Sequence, residues 1–413
     1  MTIHGTGCGL LDCIYADEDF SSPAYKTALS KKSGDGGLAP GELVFSSVLE
    51  KFMGRPYDKV LASLTGGKIP DTWNLGGPSA VSLAHAAQIL AGKNSSGESF
   101  AVRYFGIWGI DAARNLIEKK ISALPFTEVR MKEKDYPTTR VDVLSDPRYD
   151  NGSGERTFIF CKGALDEFYP EDLADDFFDA DIIAFGGTAL IPHLHDNLTE
   201  LLQRSRKNGA ITEVNLVYDF QSETENPGQK WKLGKKDDAY SYIDLLIADQ
   251  EEALKTSGKD SVEEAAAWFL DKGCGTVVIT RGRQPLLLCA GGSGSSIVDS
   301  INSDLFIKTD FVYLPACGEI DRELAAHPEK RGDTTGCGDN FAGQVIAELA
   351  QAIASGKRSG LDLREICIPA VAAGGFACFI VGGTYYEKET GEKRRLLEPY
   401  IKAYREQLHS NIK

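Results

Sequence analysis

The sequence predicts an α/β fold, with helices wound on both faces of a mostly parallel sheet. Three observations carry that expectation. Short apolar runs alternate with amphipathic helical segments over roughly 200 residues, the rhythm of repeated strand–helix–strand units. The runs are apolar almost throughout, as in strands covered by helices on both faces. Two stretches, 13–70 and 128–170, break the rhythm with polar, Gly/Pro-rich and extended pieces, and read as a small sheet beside the main layer.

The strand candidates, in order, are "FAVRYFGIWG" (100–109), "ADIIAFGG" (180–187), "GAITEVNLVYDF" (209–220), "IDLLIAD" (243–249) and "TVVITRG" (276–282). Amphipathic segments at 111–121, 196–207 and 261–272 supply the helices between them. In the first irregular stretch "KKSGDGGLAPGE" is polar and rich in turn formers. In the second, "RVDVLSDPRYDNGSGERTFIFCKG" places alternating residues on either side of a tight Gly/Asn turn. The polar "QSETENPGQKWKLGKKDDAYS" (221–241) reads as a long surface loop or short linker. There is no internal repeat and no low-complexity tail.

With 413 residues, 42% of them hydrophobic and 25% charged, the chain has the composition of an ordinary soluble globular protein. No run nears the roughly 20 apolar residues that cross a bilayer. The opening "MTIHGTGCGLLDCIYADEDF" lacks the basic flank and longer apolar stretch of a signal peptide, so a cytoplasmic protein is expected. Nine cysteines without a CxxC pair read as reduced, buried thiols. His193 and His195 have no nearby cysteine or third histidine to complete a zinc site. A formal charge of −15 argues against a nucleic-acid binder. An anionic substrate would need a local site or a metal ion to overcome that field.

One stretch concentrates chemistry: "RGDTTGCGDNFAGQ" (331–344). Phe341, Val345, Ile346, Leu349 and Ile353 follow at helical spacing, so a helix begins near Gly338–Asp339. Its first amides lack intrahelical partners and carry the positive end of the helix dipole. Gly336 and Gly338 free the turn to aim further amides at the same point, which makes an anion hole suited to phosphate. Helix-end amides should keep Asp339 ionised at neutral pH. A carboxylate there can take the proton of an alcohol attacking phosphorus.

"DTTGCGDNF" resembles the D-T-x-G-A-G-D-x-F signature of ribokinase-like (PfkB) carbohydrate kinases, with Cys337 at the usual alanine. Weaker likenesses occur in matching order at "GTGCGLLD", "GGPSAVSLAHAA" (76–87), "YFGIWGID" (104–111), "ADQEEA" (248–253) and "ITRG" (279–282). The start also looks like that of adenosine kinases, which share the fold. The resemblance implies a three-layer α/β/α core over residues 1–413, with segments of 13–70 and 128–170 forming a β-sheet lid and 221–241 a surface insert. It implies Asp339 as catalytic base and the amides of Gly336, Cys337 and Gly338 as the anion hole. Asp12, Gly76 and Gly77 would meet the substrate, and Val81 stands where the family usually has a substrate-contacting asparagine. Asn215, Asp249, Glu252, Thr280, Gly282 and Thr335 would line the nucleotide, with Arg281 as a further phosphate contact or an exposed arginine. Glu252 would hold Mg2+ through water, and Asp333 would lie near a monovalent cation such as K+. The "AVAAGGFACFIVGG" segment (370–383) would lie beside adenine and that cation. Lys330 and Arg331 either face the phosphates or point to solvent.

The implied activity is ATP-dependent phosphorylation of a hydroxyl, primary in the usual case, on a sugar or sugar-like compound. The alternatives are a nucleoside kinase and a binding protein of the same fold without catalysis. Partners are then a small sugar or nucleoside, with neither nucleic acid nor membrane, and a second copy joined through the lid. The absence of GxxxxGK[ST], of a complete GxGxxG and of GxSxG argues against P-loop kinases, dinucleotide oxidoreductases and α/β hydrolases.

Overall fold

The computed structural model describes residues 1–32, 34–92, 99–152, 154–291 and 304–410. Its main sheet has nine strands. In chain order these are β1 (Thr2–Gly7), β5 (Ala101–Trp108), β6 (Glu128–Glu133), β9 (Ile182–Gly186), β10 (Ile211–Asn215), β11 (Leu245–Asp249), β12 (Thr276–Thr280), β13 (Leu286–Ala290) and β14 (Thr309–Leu314). A second sheet of five strands holds β2 (Leu10–Tyr15), β3 (Leu43–Phe45), β4 (Thr72–Gly76), β7 (Arg140–Asp146) and β8 (Glu155–Cys161). Across the main sheet the order is β14-β13-β12-β11-β10-β9-β1-β5-β6, parallel from β12 to β6 and antiparallel at β13 and β14.

Successive residues of one strand feed two separate cores. Ile182 and Ala184 of β9 pack with Leu83, Phe341, Val345 and Leu349, under the helices Pro78–Leu90 and Cys337–Ala354. Ile183 and Phe185 join Leu198, Leu202, Ala253 and Phe269, under the helices Leu198–Lys207, Gln250–Ser257 and Val262–Asp271. This is the three-layer α/β/α arrangement, and it explains why the strands read as unbroken apolar runs. Side-chain caps fix the helix starts: Asp111 accepts from the Arg114 amide and Ser261 from the Glu264 amide.

Three segments differ from the sequence expectation. Residues 128–133 form the edge of the main sheet beside β5, not part of the small one. Their alternating charges suit an edge strand that only one neighbour covers. The small sheet reaches beyond 13–70 at both ends, from Leu10 to Gly76. Segment 221–241 is not a plain loop. The helix Phe220–Glu225 opens it, and Trp231, Leu233 and Tyr240 are buried. The Trp231 indole N–H donates to Glu223 Oε2 at 3.1 Å. Sparse apolar anchors within a polar run produced the loop-like pattern.

Candidate active site

Parallel strands align their C-terminal ends, and here that edge collects much of what the signature implied. Gly7, Gly186 and Asn215 lie in register on β1, β9 and β10, and Asp249 pairs with Thr280 on β11 and β12. The helix Cys337–Ala354 starts one residue before the expected point, with Asp339 in its first turn and no side-chain cap on its amides. Gly336 precedes it at φ 75°, where a Cβ would stand 2.6 Å from Gly383 Cα. Only glycine allows both that backbone and that approach. Around Gly338 a Cβ would meet nothing within 4 Å, so this turn faces open space. The Cys337 amide makes a long contact, 3.4 Å, to the Thr334 carbonyl.

Burial pushes the Asp339 carboxyl up to about 7. This corrects the expectation of a fully ionised group, because loss of water outweighs the helix-end amides. Its charge in turn raises two further carboxyls. Asp12, in the middle of β2, is pushed up to about 8, first by burial and then by Asp333 and Asp339, with Arg156 opposing. Glu252 is buried and raised by that burial, by Asp249 and by Asp339. The substrate candidate, the base candidate and the Mg2+ candidate therefore share one electrostatic field.

Asp249 and Glu252 form a capping box on the helix Gln250–Ser257: the Glu252 amide donates to Asp249 at 2.8 Å, and the Asp249 amide to Glu252 at 2.7 Å. The box holds both carboxylates at the strand edge. Gly282 follows Thr280 at φ 58° with open space around it, while Arg281 is engaged by Gln250 (3.0 Å) and Gln284 (2.7 Å). Lys330 sits in a short 3-10 turn and pairs with Glu323 at 2.6 Å, and Arg331 is exposed. His193 stacks on Tyr169, and His195 bonds Thr188 and the Lys232 carbonyl.

Asp333 accepts the amides of Thr335 (2.6 Å) and Gly382 (3.0 Å), which ties the signature to the 380–384 loop. It also pairs with Arg156 at 3.1 Å. Arg156, on β8 of the small sheet, bonds the hydroxyls of Thr334 (2.8 Å) and Thr335 as well. One guanidinium thus ties the small sheet to the signature loop. Sequence reasoning missed it, since nothing local distinguishes an arginine in "GSGERTF" whose partners lie 177 to 179 positions away.

A second missed group lies behind the helix. Asn340 donates to the carbonyls of Gly336 (2.8 Å) and Gly383 (2.9 Å), clamping both sides of the turn. Its Oδ1 receives Lys393 Nζ at 2.8 Å and faces His85 Nδ1 at 2.8 Å. Burial pushes Lys393 down to about 7 and His85 down to about 3, so His85 is neutral. Asn340 occupies the variable position of the signature, and Lys393 opens a helix that reads as polar, so neither carried a signal.

Gly76, opposite Leu10 at the end of β4, leaves no room for a methyl against the Asp12 carboxylate. Val81 is buried and packs beside Gly383, while Asn74 reaches the Val381 and Thr384 carbonyls at 3.1 and 3.2 Å. The polar tie to that loop comes from the strand before Gly76 instead of the helix after it.

The layered core with its second, smaller sheet is the ribokinase-like fold, the scaffold of a class of small-molecule phosphotransferases. Residues 100–309, half of the chain, match the pfkB family carbohydrate kinase domain. The chain belongs to that family. The signature lies beyond the matched span and adds to it. Solved structures agree in fold. An adenosine kinase from Schistosoma mansoni in complex with 2-fluoroadenosine shares 17% identity at TM-score 0.66, over 93% of this chain and 97% of that one. A probable sugar kinase from Rhizobium etli shares 18% at TM-score 0.63, over 96% and 98%. Ribokinase from Thermotoga maritima shares 18% at TM-score 0.57, over 97% and 99%. No helix among the described residues is long and apolar enough to cross a membrane.

Proposed function

We propose that this kinase transfers the γ-phosphoryl group of ATP to a hydroxyl of a sugar or sugar-like acceptor, with Asp339 as general base. The observation that carries the reading is the place of Asp339 in the first turn of a helix that begins on a glycine-built cradle. A base poised near neutrality is matched to accepting a hydroxyl proton. The amides of Gly336, Cys337 and Gly338 stabilise charge on the migrating group.

Asp12 orients the acceptor from β2, next to Gly76 and Gly77. Asn215, Asp249, Thr280, Gly282 and Thr335 border the nucleotide. The crowded carboxylates suit a divalent ion: Glu252, steadied by the capping box, would hold hydrated Mg2+, which supplies charge neutralisation at the phosphates. Asp333, paired with Arg156, would lie beside a monovalent cation such as K+. The five-stranded sheet acts as a lid that excludes water as competing acceptor.

One observation favours a nucleoside as second reading. Asn74, Asp12, Val141, Phe160 and Phe45 are successive cross-strand partners, hence one row on one face of the small sheet. The row runs from polar groups to a half-buried aromatic ring, as a ribose with an attached base would require.

An ADP-release assay against a panel of sugars and nucleosides tests the proposal. Turnover with one class is expected, and Asp339→Asn should lower it at least about a hundredfold with little change in ATP affinity. An Asn variant near the parent rate would remove Asp339 as the base. Binding without turnover across the panel would favour the non-catalytic alternative.

A further inference from the structure

The residue between the two cradle glycines is a cysteine, and its Sγ lies 3.6 Å from Cys378 Sγ. Cys337 opens the helix at the anion hole. Cys378 sits in the 3-10 turn Ala377–Phe379, and its carbonyl accepts the Gly332 amide at 2.9 Å. The two sulfurs therefore face each other across the segments that hold the cradle together.

Other cysteines differ in setting. Cys8, Cys13, Cys274, Cys289, Cys317 and Cys367 are buried, whereas Cys161, Cys337 and Cys378 are partly accessible. Cys161 lies 3.6 Å from the Asp142 carboxylate, and burial with that charge pushes its thiol up to about 11. Cys378 goes the other way. With Cys337 donating its S–H, and Arg283 nearby, the Cys378 thiol falls to about 7 against the opposing effects of burial, Asp321 and Asp333. Cys337 is correspondingly raised and stays a thiol. Either sulfur can be the donor in this contact, so one of the pair can react as thiolate while its neighbour resolves.

We propose that Cys337 and Cys378 form an oxidative modification site, closed by a hydroperoxide to a disulfide that draws the Cys337 amide out of the phosphate cradle. The Cys378 thiolate attacks the peroxide oxygen, forming an S–O bond as the O–O bond breaks and hydroxide leaves. The Cys337 sulfur then attacks the sulfenic sulfur. The S–S bond forms, the S–O bond breaks, and the departing hydroxide takes the Cys337 proton. Overall two thiols lose two electrons and hydrogen peroxide becomes two waters. To bond, the sulfurs must close from 3.6 Å to about 2.05 Å. On this proposal the segment carrying Cys337 shifts with its side chain, and a displacement near 1 Å in such a site costs about a hundredfold in rate. A thiol reductant restores the cradle by exchange.

The test uses the full chain with hydrogen peroxide at neutral pH, alkylation of remaining thiols, and peptide mapping without reduction. Expected is a cross-linked pair of peptides containing residues 337 and 378, absent after dithiothreitol. In parallel, ADP release with the accepted substrate should fall about a hundredfold and recover on reduction. Cys378→Ala should keep its own untreated rate after peroxide and yield no cross-link. Absence of the cross-link while Cys161 is oxidised would overturn the proposal, as would a cross-link that leaves turnover unchanged. If the reduced chain phosphorylates nothing, the functional reading fails separately, and the peptide map still decides the pair.

Discussion

Asp339 pays for its position in stability, and two measurements expose this. Its folded-state carboxyl lies at about 7 against an ordinary 3.8. As base it must be ionised, so kcat/KM should fall about tenfold per pH unit below pH 7. A flat profile there would assign the proton to another group. In the same interval the folded state keeps a proton that the unfolded chain releases, so stability declines as pH rises from the lower value to the higher. Asp339→Asn lacks this penalty. It should melt above the parent at about pH 8, with the gap closing below about pH 4. Thermal melts of both proteins across that range check the sign. At this scale the signature was legible because its residues are contiguous. The direction of the Asp339 shift was not, because the loss of water around a carboxylate is a property of the assembled groove. Arg156, Asn340 and Lys393 were illegible for a related reason: each acts on partners far along the chain.

The elements show where pattern suffices. All five long apolar runs are strands of the main sheet, since burial on both faces leaves an unbroken signature. Segment 221–241 misled, as Trp231 and Tyr240 stand alone among polar neighbours yet are buried. Between elements, the bridge from β8 to the signature is the contact that sequence could not supply. Arg156→Ala strands Asp333 and releases the hydroxyls of Thr334 and Thr335. Turnover should drop at least about tenfold, with Arg156→Lys intermediate because an ammonium cannot reproduce the fork. Equal rates for parent and Ala variant would reduce the bridge to a passive tie. Lys393→Met removes the amine that donates to Asn340, and lower turnover with unchanged ATP binding is expected from steady-state kinetics and calorimetry.

For the whole molecule, the junction of the two sheets matters most. The chain passes between them at Cys8–Gly9, at Gly77, between β6 and β7, and between β8 and β9. The first two crossings are tied to each other: the Cys8 carbonyl accepts the amides of Ser79 and Ala80, at the start of the helix Pro78–Leu90, at 3.1 and 3.2 Å. Gly77 has φ 90°, and a Cβ there would lie 2.6 Å from the Cys8 oxygen. Gly77→Ala should destabilise the protein by more than about 1 kcal/mol, measured by urea unfolding, and impair turnover together with it. Undiminished stability would mean that the junction tolerates rearrangement.

The edge strand β6 carries one more consequence. Its "EVRMKE" sequence presents Glu128, Arg130, Lys132 and Glu133 along the margin where the main sheet ends. Arg130 is held there by Glu128 and Asp176. A stray strand from a half-synthesised or damaged neighbour would have to strip water from this charged fringe before zipping on. A margin of this kind disfavours edge-to-edge pairing with a foreign strand, a consequence separate from phosphoryl transfer.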